Sequence, residues 1–389
     1  MNYDFDLILP RRGTDSVKWN RHEADVLPLW VADLDFASPQ PVIEALARRV
    51  EHGVFGYGIE PPLLREVVRE LLRQRYDWQV ANEDLVLLPG VVPGLNLVAL
   101  ACSEPGDGLL VQPPIYPPFL AVEKNIGRTV ETAPLVLRSG RYEVDPNELE
   151  RALTARTRVF LLCNPHNPSG RVFTRAELEQ VAEVCLRHNL VLCSDEIHQD
   201  FIYEGHTHIP IASLAPEIAA RTVTLLSPSK TYNIAGFHLA VAVVNNPELR
   251  AKLNAASAGI LPRKPGVLDI VAALAAYQHG GEWLGQLLAY LKANRDLLVG
   301  YVGEDRLPGV TMGRPEGTYL GWLDCRAAGI QGSAMEFFLR EARVALGEGA
   351  DFGAAGEGFV RLNFGCPRSA LLDALERMRQ ALERNARLG

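Results

Sequence analysis

Cysteines are few in this sequence and follow no regular pattern. The six cysteines of the 389 residues stand at positions 102, 163, 185, 193, 325 and 366, and no two form a C-x-x-C pair. A disulfide-rich secreted scaffold is therefore excluded. Cys163 and Cys193 end apolar, strand-like runs, which indicates buried free thiols in a reducing cytoplasm.

Positive charge and long apolar runs are also scarce. The formal net charge is -8, whereas a protein that binds nucleic acid usually has a basic face, so no nucleic-acid partner is expected. No apolar run approaches the roughly 18 residues that a membrane helix requires. The acidic start, Met1-Asn-Tyr-Asp-Phe-Asp6, lacks the basic residues of a signal or transit peptide. We therefore expect a cytoplasmic protein with no membrane partner.

The sequence does contain a regular alternation of apolar runs and helical patterns. Hydrophobic residues make up 48% and charged residues 22%, as in globular proteins, and the length suggests two domains. Between about residues 85 and 245, short runs of Val, Leu and Ile alternate with helices, which predicts a mostly parallel sheet covered on both faces. After Pro247, long helices followed by a few strands predict a smaller α+β domain.

A lysine follows one of the predicted buried strands. Ser227-Pro-Ser-Lys230 comes directly after the apolar residues 222–226. A lysine at the end of a buried strand is partly desolvated, and its pKa falls, as a lysine that reacts with a carbonyl group requires. Ser227 and Ser229 could bind a phosphate. An ordinary surface loop is the alternative interpretation.

Three other polar motifs occupy comparable positions. Asp195 follows the strand-like residues 190–193 and could hold a cationic pyridine nitrogen or cap a helix. Two Asn-Pro steps follow Cys163, and they present amide side chains at a strand end. Pro89-Gly-Val-Val-Pro-Gly94 precedes a predicted helix, whose first backbone N–H groups bind phosphate well. His198 lies near acidic residues, but no metal-ligand spacing is present, so no metal is expected.

Taken together, these motifs occur in the order phosphate loop, Asn turn, Asp and Lys. In this order the sequence resembles the fold-type-I pyridoxal 5'-phosphate (PLP) enzymes of the class I/II aminotransferase superfamily. The matching pieces are Asn167-Pro-Ser-Gly170, Asp195, Ser227-x-Ser229-Lys230 and the Arg361 of Phe359-Val-Arg-Leu-Asn-Phe364.

Within this superfamily, the sequence is most similar to the MalY/PatB-type cystathionine β-lyases, which are cysteine-S-conjugate β-lyases. The segments that carry this resemblance include Leu29-Trp-Val-Ala-Asp-Leu-Asp-Phe36, Phe55-Gly-Tyr57, Asp195-Glu-Ile-His198 and Arg361-Leu-Asn-Phe-Gly-Cys-Pro367. His198 stands where aminotransferases usually have a tyrosine. The usual G-x-R-x-G arginine is missing from Gly236-Phe-His-Leu-Ala240. Both departures are similar to the β-lyase subfamily.

The resemblance implies a role for each matching residue. Lys230 would bond the cofactor and act as the base at the substrate Cα, Asp195 would pair with the pyridine nitrogen, and Arg361 would bind the substrate carboxylate. The other implied contacts are Asn167 and His198 near the ring O3′, Tyr116 stacked on the ring, Val91, Val92, Ser227 and Ser229 at the phosphate, Tyr57 from the neighbouring subunit of a homodimer, and Ala32 and Trp30 at the substrate. Tyr116 could also be an ordinary core aromatic.

The resemblance also implies the fold and the reaction. We expect an α/β protein with the aspartate-aminotransferase-like PLP-dependent transferase fold type I. A large domain, residues 50–275, would contain a mixed, mostly parallel sheet, and residues 1–49 and 276–389 would form a small α+β domain. The expected reaction is cleavage of L-cystathionine or related cysteine S-conjugates to pyruvate, ammonia and a thiol. An aminotransferase, or a lyase with an added regulatory protein-binding role, remains an alternative.

The glycine-rich residues 347–358 allow two interpretations. Glycine stands at positions 347, 349, 353, 356 and 358, which makes this stretch the most loop-like of the sequence. It could be a flexible lid or substrate loop, or it could be a surface turn.

Overall fold

The computed structural model of the protein describes residues 1–261 and 265–388. The helices are α1 (Val17–Asn20), α2 (Gln40–Glu51), α3 (Pro62–Tyr76), α4 (Val91–Cys102), α5 (Pro117–Ile126), α6 (Pro146–Ala152), α7 (Arg175–Arg187), α8 (Pro216–Ala219), α9 (Pro228–Thr231), α10 (Pro247–Ser257), α11 (Val267–His279), α12 (Gly281–Gly303), α13 (Ala334–Phe337) and α14 (Arg368–Leu388). The predicted helical stretch 247–301 includes residues 262–264, which lie outside the described residues.

The strands are shorter than most of the helices. They are β1 (Leu27–Pro28), β2 (Leu85–Leu88), β3 (Gly108–Val111), β4 (Thr129–Thr132), β5 (Val136–Arg138), β6 (Arg141–Glu143), β7 (Thr157–Cys163), β8 (Val191–Asp195), β9 (Thr222–Leu226), β10 (Ala240–Val243), β11 (Thr311–Met312), β12 (Leu320–Asp324), β13 (Val344–Ala345), β14 (Gly347–Glu348) and β15 (Phe359–Asn363). No helix among the described residues is both long enough and apolar enough to cross a membrane.

The central sheet is mostly parallel, as the sequence predicts. In the described part of the chain it has seven strands in the order β2-β10-β9-β8-β7-β3-β4. Strands β9, β8, β7, β3 and β4 run parallel, and β10 is antiparallel to both β2 and β9. The register places Cys163 beside Asp195 and Asp195 beside Leu225. The carboxyl ends of three neighbouring strands therefore meet at one edge, where ligands bind in open α/β sheets.

Both faces of this sheet are buried. Successive side chains of a strand point to opposite faces, and along β7 Leu161 packs in one hydrophobic cluster while Phe160 and Leu162 pack in another. Helices α4 and α5 contribute Leu95 and Phe119 to the first cluster. This double burial explains why the strands appear in the sequence as continuous apolar runs.

A second sheet lies in the last third of the chain. Its strands follow the order β11-β12-β15-β14 and are antiparallel. Arg361 in β15 pairs with Trp322 in β12 and with Gly347 in β14. The largest hydrophobic cluster joins this part of the chain to its beginning, since Leu29 and Leu34 pack together with residues such as Leu298 and Leu375.

Local details differ from expectation at two helices. Ser38 precedes the helical pattern of residues 41–51 and is a candidate cap for it, but α2 begins after Pro39, and the Ser38 hydroxyl donates to the Asn233 carbonyl instead (2.9 Å). The sequence pattern predicts one helix over residues 333–343, which the structure divides, because α13 continues as a π-helical turn at Phe338–Ala342. Asp145 before Pro146 predicts a helix cap, and the structure confirms it, since the Asp145 carboxylate accepts the Asn147 N–H at 3.0 Å.

Candidate active site

A cavity of about 430 Å³ opens at the carboxyl edge of the central sheet. This size suits a small-molecule ligand. The structure brings together in its lining most of the residues that the sequence singles out: Ala32, Val91, Val92, Tyr116, Asn167, Asp195, His198, Ser227, Ser229 and Lys230. These residues come from separate parts of the chain, most of them at the ends of strands or the beginnings of helices. They surround the same cavity because those ends meet at one edge of the sheet.

Lys230 presents its amine to this cavity from the short helix α9. Its Nζ donates to the Ala32 carbonyl at 2.7 Å. Burial lowers the pKa of Lys230 to about 8, with the positive charge of Arg361 acting in the same direction and the nearby carboxylates of Asp33 and Asp195 opposing it. At pH 7 about a tenth of this amine is therefore uncharged, and the fraction grows as the pH rises. The uncharged amine is the form that acts as a nucleophile or a proton acceptor.

Asp195 is the last residue of β8 and is buried. Its Oδ1 accepts the Ile197 N–H at 3.1 Å, and no other protein donor within the described residues reaches its carboxylate. Burial raises the pKa of Asp195 to about 7; the Ile197 N–H opposes the rise, the charge of Glu196 adds to it, and Lys230 opposes it. No helix begins after Asp195, so a helix cap is excluded as its role. A buried carboxylate with a free oxygen is suited to a ligand that brings an N–H and a positive charge.

Asn167 and Arg361 are joined across the cavity wall. Arg361 Nη1 donates to Asn167 Oδ1 at 2.9 Å. Because a guanidinium has only donors, the Asn167 atom that meets it must be the oxygen, and the Asn167 NH₂ group is left for the cavity. Arg361 Nη2 donates to the Trp30 carbonyl at 2.8 Å. Trp30 thus contacts the site residue Arg361 through its backbone carbonyl.

Arg361 is buried without a carboxylate partner. Burial lowers its pKa to about 10, and the neighbouring Tyr116 and Tyr319 oppose this shift. Its Nε has no hydrogen-bond partner in the described part of the chain. The guanidinium lies over the ring of Phe352, 5.0 Å from the centroid. A buried, unpaired guanidinium of this kind is suited to an anionic ligand such as a carboxylate.

One end of the cavity is built to accept an anion. Val91 and Val92 open α4, where the first backbone N–H groups of a helix have no acceptor inside it. Gly90 precedes them with φ 135°, a conformation that favours glycine. The Ser227 hydroxyl lies 2.7 Å from the Leu239 carbonyl, to which it donates, and 2.9 Å from the Ser229 hydroxyl. Amides, hydroxyls and a helix N-terminus at one place suit a phosphate.

Tyr116 and His198 complete the lining with their rings. Tyr116 precedes α5, lines the cavity together with Cys163 and also packs against the adjoining hydrophobic cluster. Burial lowers the pKa of His198 to about 3, and Lys230 and Arg361 act in the same direction, so the imidazole is neutral. Its Nδ1 is buried and has no partner among the described residues.

Tyr57 lies apart from the other predicted residues. Its side chain is fully exposed and does not line the cavity. No group of three or more His, Cys, Asp or Glu residues within 1–261 and 265–388 is arranged to hold a metal ion.

Several contributing residues were not singled out from the sequence. The Tyr319 hydroxyl donates to the Ala32 carbonyl at 3.0 Å, and its ring packs against that of His198. Phe352 supports Arg361 from the glycine-rich residues 347–358. In this stretch Gly349, Phe352 and Gly356 are buried, while residues 350–351, 354–355 and 357–358 are exposed. No local signal in the sequence marks these residues, because distant parts of the chain bring them to the site.

Comparison with known proteins identifies the family. The family model for aminotransferase class I and II matches residues 24–378. The chain belongs to this family. Lys230, Asp195 and Asn167 line the cavity, Arg361 is hydrogen-bonded to Asn167 at its wall, and all four lie within the matched residues.

Individual members of the family are similar over nearly the whole chain. The cystathionine beta-lyase PatB of Bacillus subtilis (strain 168) is 40% identical, over 97% of this chain and 100% of that protein. Among solved structures, OvoB has a TM-score of 0.93 with 44% identity, over 98% of this chain and 99% of that one. The PLP-bound C-S lyase from Staphylococcus hominis has a TM-score of 0.92 with 30% identity, over 98% of each chain.

Proposed function

We propose that this protein is a PLP-dependent carbon–sulfur β-lyase that cleaves L-cystathionine or related cysteine S-conjugates to pyruvate, ammonia and a thiol. One observation supports this proposal most strongly. A single cavity contains an amine of lowered pKa (Lys230), a buried carboxylate (Asp195) and the anion-binding end at the start of α4. The names of PatB and of the Staphylococcus hominis C-S lyase support the same reaction.

The residues of the cavity fit PLP from end to end. The Val91 and Val92 amides and the Ser229 hydroxyl suit the phosphate. Ser227, whose hydroxyl donates to the Leu239 carbonyl, accepts the Ser229 N–H at 3.1 Å and so positions Ser229. Asp195 has a carboxylate oxygen free for the pyridine N–H, and this interaction would relieve the cost of burying its charge. The Asn167 NH₂ group suits the ring oxygen, and the Tyr116 ring lies beside the same space. Each polar group of the cofactor thus has a complementary group in the protein.

Arg361 positions the amino-acid substrate. Its buried guanidinium has an Nε without a partner, and a substrate carboxylate would supply the missing acceptor and the missing negative charge. Asn167 and the Trp30 carbonyl orient this guanidinium by accepting from Nη1 and Nη2. The substrate is therefore held by one end, close to Lys230 and the Ala32 carbonyl.

Lys230 moves the protons of the reaction. PLP, when bound, supplies the electron-withdrawing ring that stabilises negative charge at the substrate Cα. The Lys230 amine, once free, takes the Cα proton, because its pKa of about 8 leaves it partly neutral at neutral pH. The same amine can then donate a proton to the departing sulfur, so the Cβ–S bond breaks without releasing a full charge into the cavity.

One assay distinguishes this activity from amino-group transfer. The purified protein is incubated with L-cystathionine, with and without an added 2-oxo acid, and pyruvate and free thiol are measured. The proposal predicts that both products form without any 2-oxo acid. Strict dependence on the 2-oxo acid would instead identify an aminotransferase. The Lys230→Ala variant, which lacks the proposed base, controls for contaminating activity.

We further propose that the active form is a homodimer in the cytoplasm. Tyr57 lies in a segment with other exposed apolar side chains, namely Val54, Phe55 and Ile59, and such a patch favours contact with another protein surface. A second copy that covers it would bring Tyr57 to the neighbouring phosphate site. The six cysteines, all described, are free thiols, which is typical of a reducing compartment.

We also propose that residues 50–275 form the large domain and residues 1–49 with 276–389 the small one. The strands of the central sheet all lie between Leu85 and Val243, and those of the four-stranded sheet between Thr311 and Asn363. The N-terminal residues from Phe5 to Val42 share a hydrophobic cluster with α12 and α14, which favours assigning both ends of the chain to one unit.

A further inference from the structure

The anion-binding end of the cavity has few groups that can carry positive charge. Its amides and hydroxyls are neutral, and the basic side chains of the described lining are those of Lys230, His198 and His238. Lys230 is occupied by its proposed covalent and proton-transfer role. His198 is neutral, because burial holds its pKa at about 3. A phosphate carries between one and two negative charges at neutral pH. His238 is the remaining basic side chain of the described lining, and its imidazole is the candidate hydrogen-bond donor to the phosphate.

Hydrogen bonds hold the backbone around His238 beside Ser227 and Ser229. The carbonyl of the next residue, Leu239, accepts the Ser227 hydroxyl at 2.7 Å. The His238 backbone N–H donates to Asp269 Oδ1 at 3.1 Å, which ties the loop to α11. The residue lines the cavity together with Val91 and Val92. These two contacts set the backbone at His238, and neither of them uses the imidazole ring.

The ring of His238 is available to a ligand. The residue is exposed, and among the described residues its ring has no hydrogen-bond partner. An imidazole can donate an N–H whether or not it is protonated. In the sequence, His238 stands at the middle of Gly236-Phe-His-Leu-Ala240, from which the G-x-R-x-G arginine is missing.

We propose that the His238 imidazole donates a hydrogen bond to the cofactor phosphate at that end of the cavity. The inference rests on the proposed function, because it assumes that the cavity binds PLP. It adds to that function a residue that determines how tightly the cofactor is held through its phosphate.

The test compares PLP with pyridoxal, which lacks the phosphate. Apoprotein of the wild type, His238→Asn and His238→Arg is titrated with each ligand, and the Kd is measured by absorbance. Loss of one charge-assisted hydrogen bond should raise the PLP Kd of His238→Asn about tenfold. The pyridoxal Kd should stay unchanged, and His238→Arg should restore PLP binding. His188→Asn, which changes an exposed histidine at the end of α7 outside the cavity, is the matched control.

Two results would overturn the role of His238. One is an equal loss of affinity for PLP and pyridoxal, which indicates a structural role, and the other is no loss for either ligand. If the wild type binds no PLP, or binds it no more tightly than pyridoxal, the proposed cofactor site itself fails. Should His238→Asn melt cooperatively at a much lower temperature than the wild type, His238→Gln takes its place in the same comparison.

Discussion

At the residue scale, burial changes the charge of the two groups on which the proposed chemistry depends. Lys230 and Asp195 line the same cavity, and burial is the largest cause of both pKa shifts. It favours the neutral amine of Lys230 and the neutral carboxyl group of Asp195, because a charged group loses its hydration inside the protein. Charge on these two groups is therefore costly in the ligand-free cavity, and a cofactor that brings complementary charge lowers this cost.

The reactivity of Lys230 should follow its lowered pKa. The neutral amine is the reactive form, so capture of PLP by the apoprotein should accelerate as the pH rises and level off above about 8. The rate is measured by stopped-flow absorbance over a range of pH, with Lys230→Ala as the control. A rate that continues to rise towards pH 10, as for an ordinary exposed lysine with a pKa of about 10.4, would contradict this prediction.

Asp195 should destabilise the apoprotein as the pH rises. Its pKa is about 7 in the folded protein and about 3.9 in an unfolded chain. The unfavourable contribution is absent below the lower value, grows between the two and is complete above the higher one. Apoprotein carrying Asp195→Asn lacks it and should melt a few degrees above the wild type at pH 8, with a smaller difference at pH 5.

Calorimetry of the apoproteins at several pH values measures this effect. The PLP-bound wild type is the internal control, because pairing with the pyridine nitrogen should remove the penalty. A melting difference between the two apoproteins that does not change with pH would show that burial of Asp195 has no electrostatic cost. The same variant should bind PLP more weakly than the wild type, since it loses the charge-assisted hydrogen bond.

At the element scale, the sequence predicts the buried strands and the surface helices well. The apolar spacing of residues 175–187 predicts a helix, and α7 has the same two ends, with a Thr174–Glu177 capping box at its start. The apolar pattern of residues 359–363 predicts a strand, and β15 has the same bounds. Both patterns are local: the helix shows apolar residues on one face, and the buried strands are continuous apolar runs.

Contacts between distant elements could not be predicted in this way. Lys230 Nζ meets the Ala32 carbonyl across 198 positions of the chain, and Arg361 Nη1 meets Asn167 across 194. Neither contact has a sequence signal of its own, because each depends on how segments far apart in the chain pack together. The resemblance to known enzymes pointed to these residues, but Tyr319 and Phe352 had no such indication.

Phe352 should affect substrate binding through Arg361. The Phe352→Leu variant keeps an apolar side chain but loses the aromatic face below the guanidinium. At about 1 kcal/mol for such a contact, the KM for the amino-acid substrate should rise about fivefold with little change in kcat. Steady-state kinetics with L-cystathionine measure the two constants separately.

Phe359→Leu is the matched control for this variant. Phe359 packs on Trp322 in the same cluster, but its ring lies beside Arg326 rather than Arg361. Its KM should remain near that of the wild type. An equal rise of KM in both variants would show that general loosening of the cluster, and not the contact with Arg361, is responsible.

At the scale of the whole molecule, the proposed homodimer predicts that two different inactive variants recover activity when their subunits pair. If Tyr57 acts in the neighbouring site, a hybrid of a Tyr57→Ala subunit and a Lys230→Ala subunit contains one intact site. Refolding an equal mixture of the two inactive variants should then recover about a quarter of the wild-type activity, since half of the dimers are hybrids with one active site each. No recovery in a mixture that sediments as a dimer would contradict the shared site.

The central claim is that this cavity binds PLP through Lys230, and borohydride reduction of the purified holoprotein tests it most directly. Reduction fixes the bound cofactor to the amine that holds it, and mass spectrometry of the peptides then locates the modified lysine. We predict that the label lies on Lys230, whose amine donates to the Ala32 carbonyl in the cavity. A label on another lysine, or a protein that takes up no PLP at all, would contradict it.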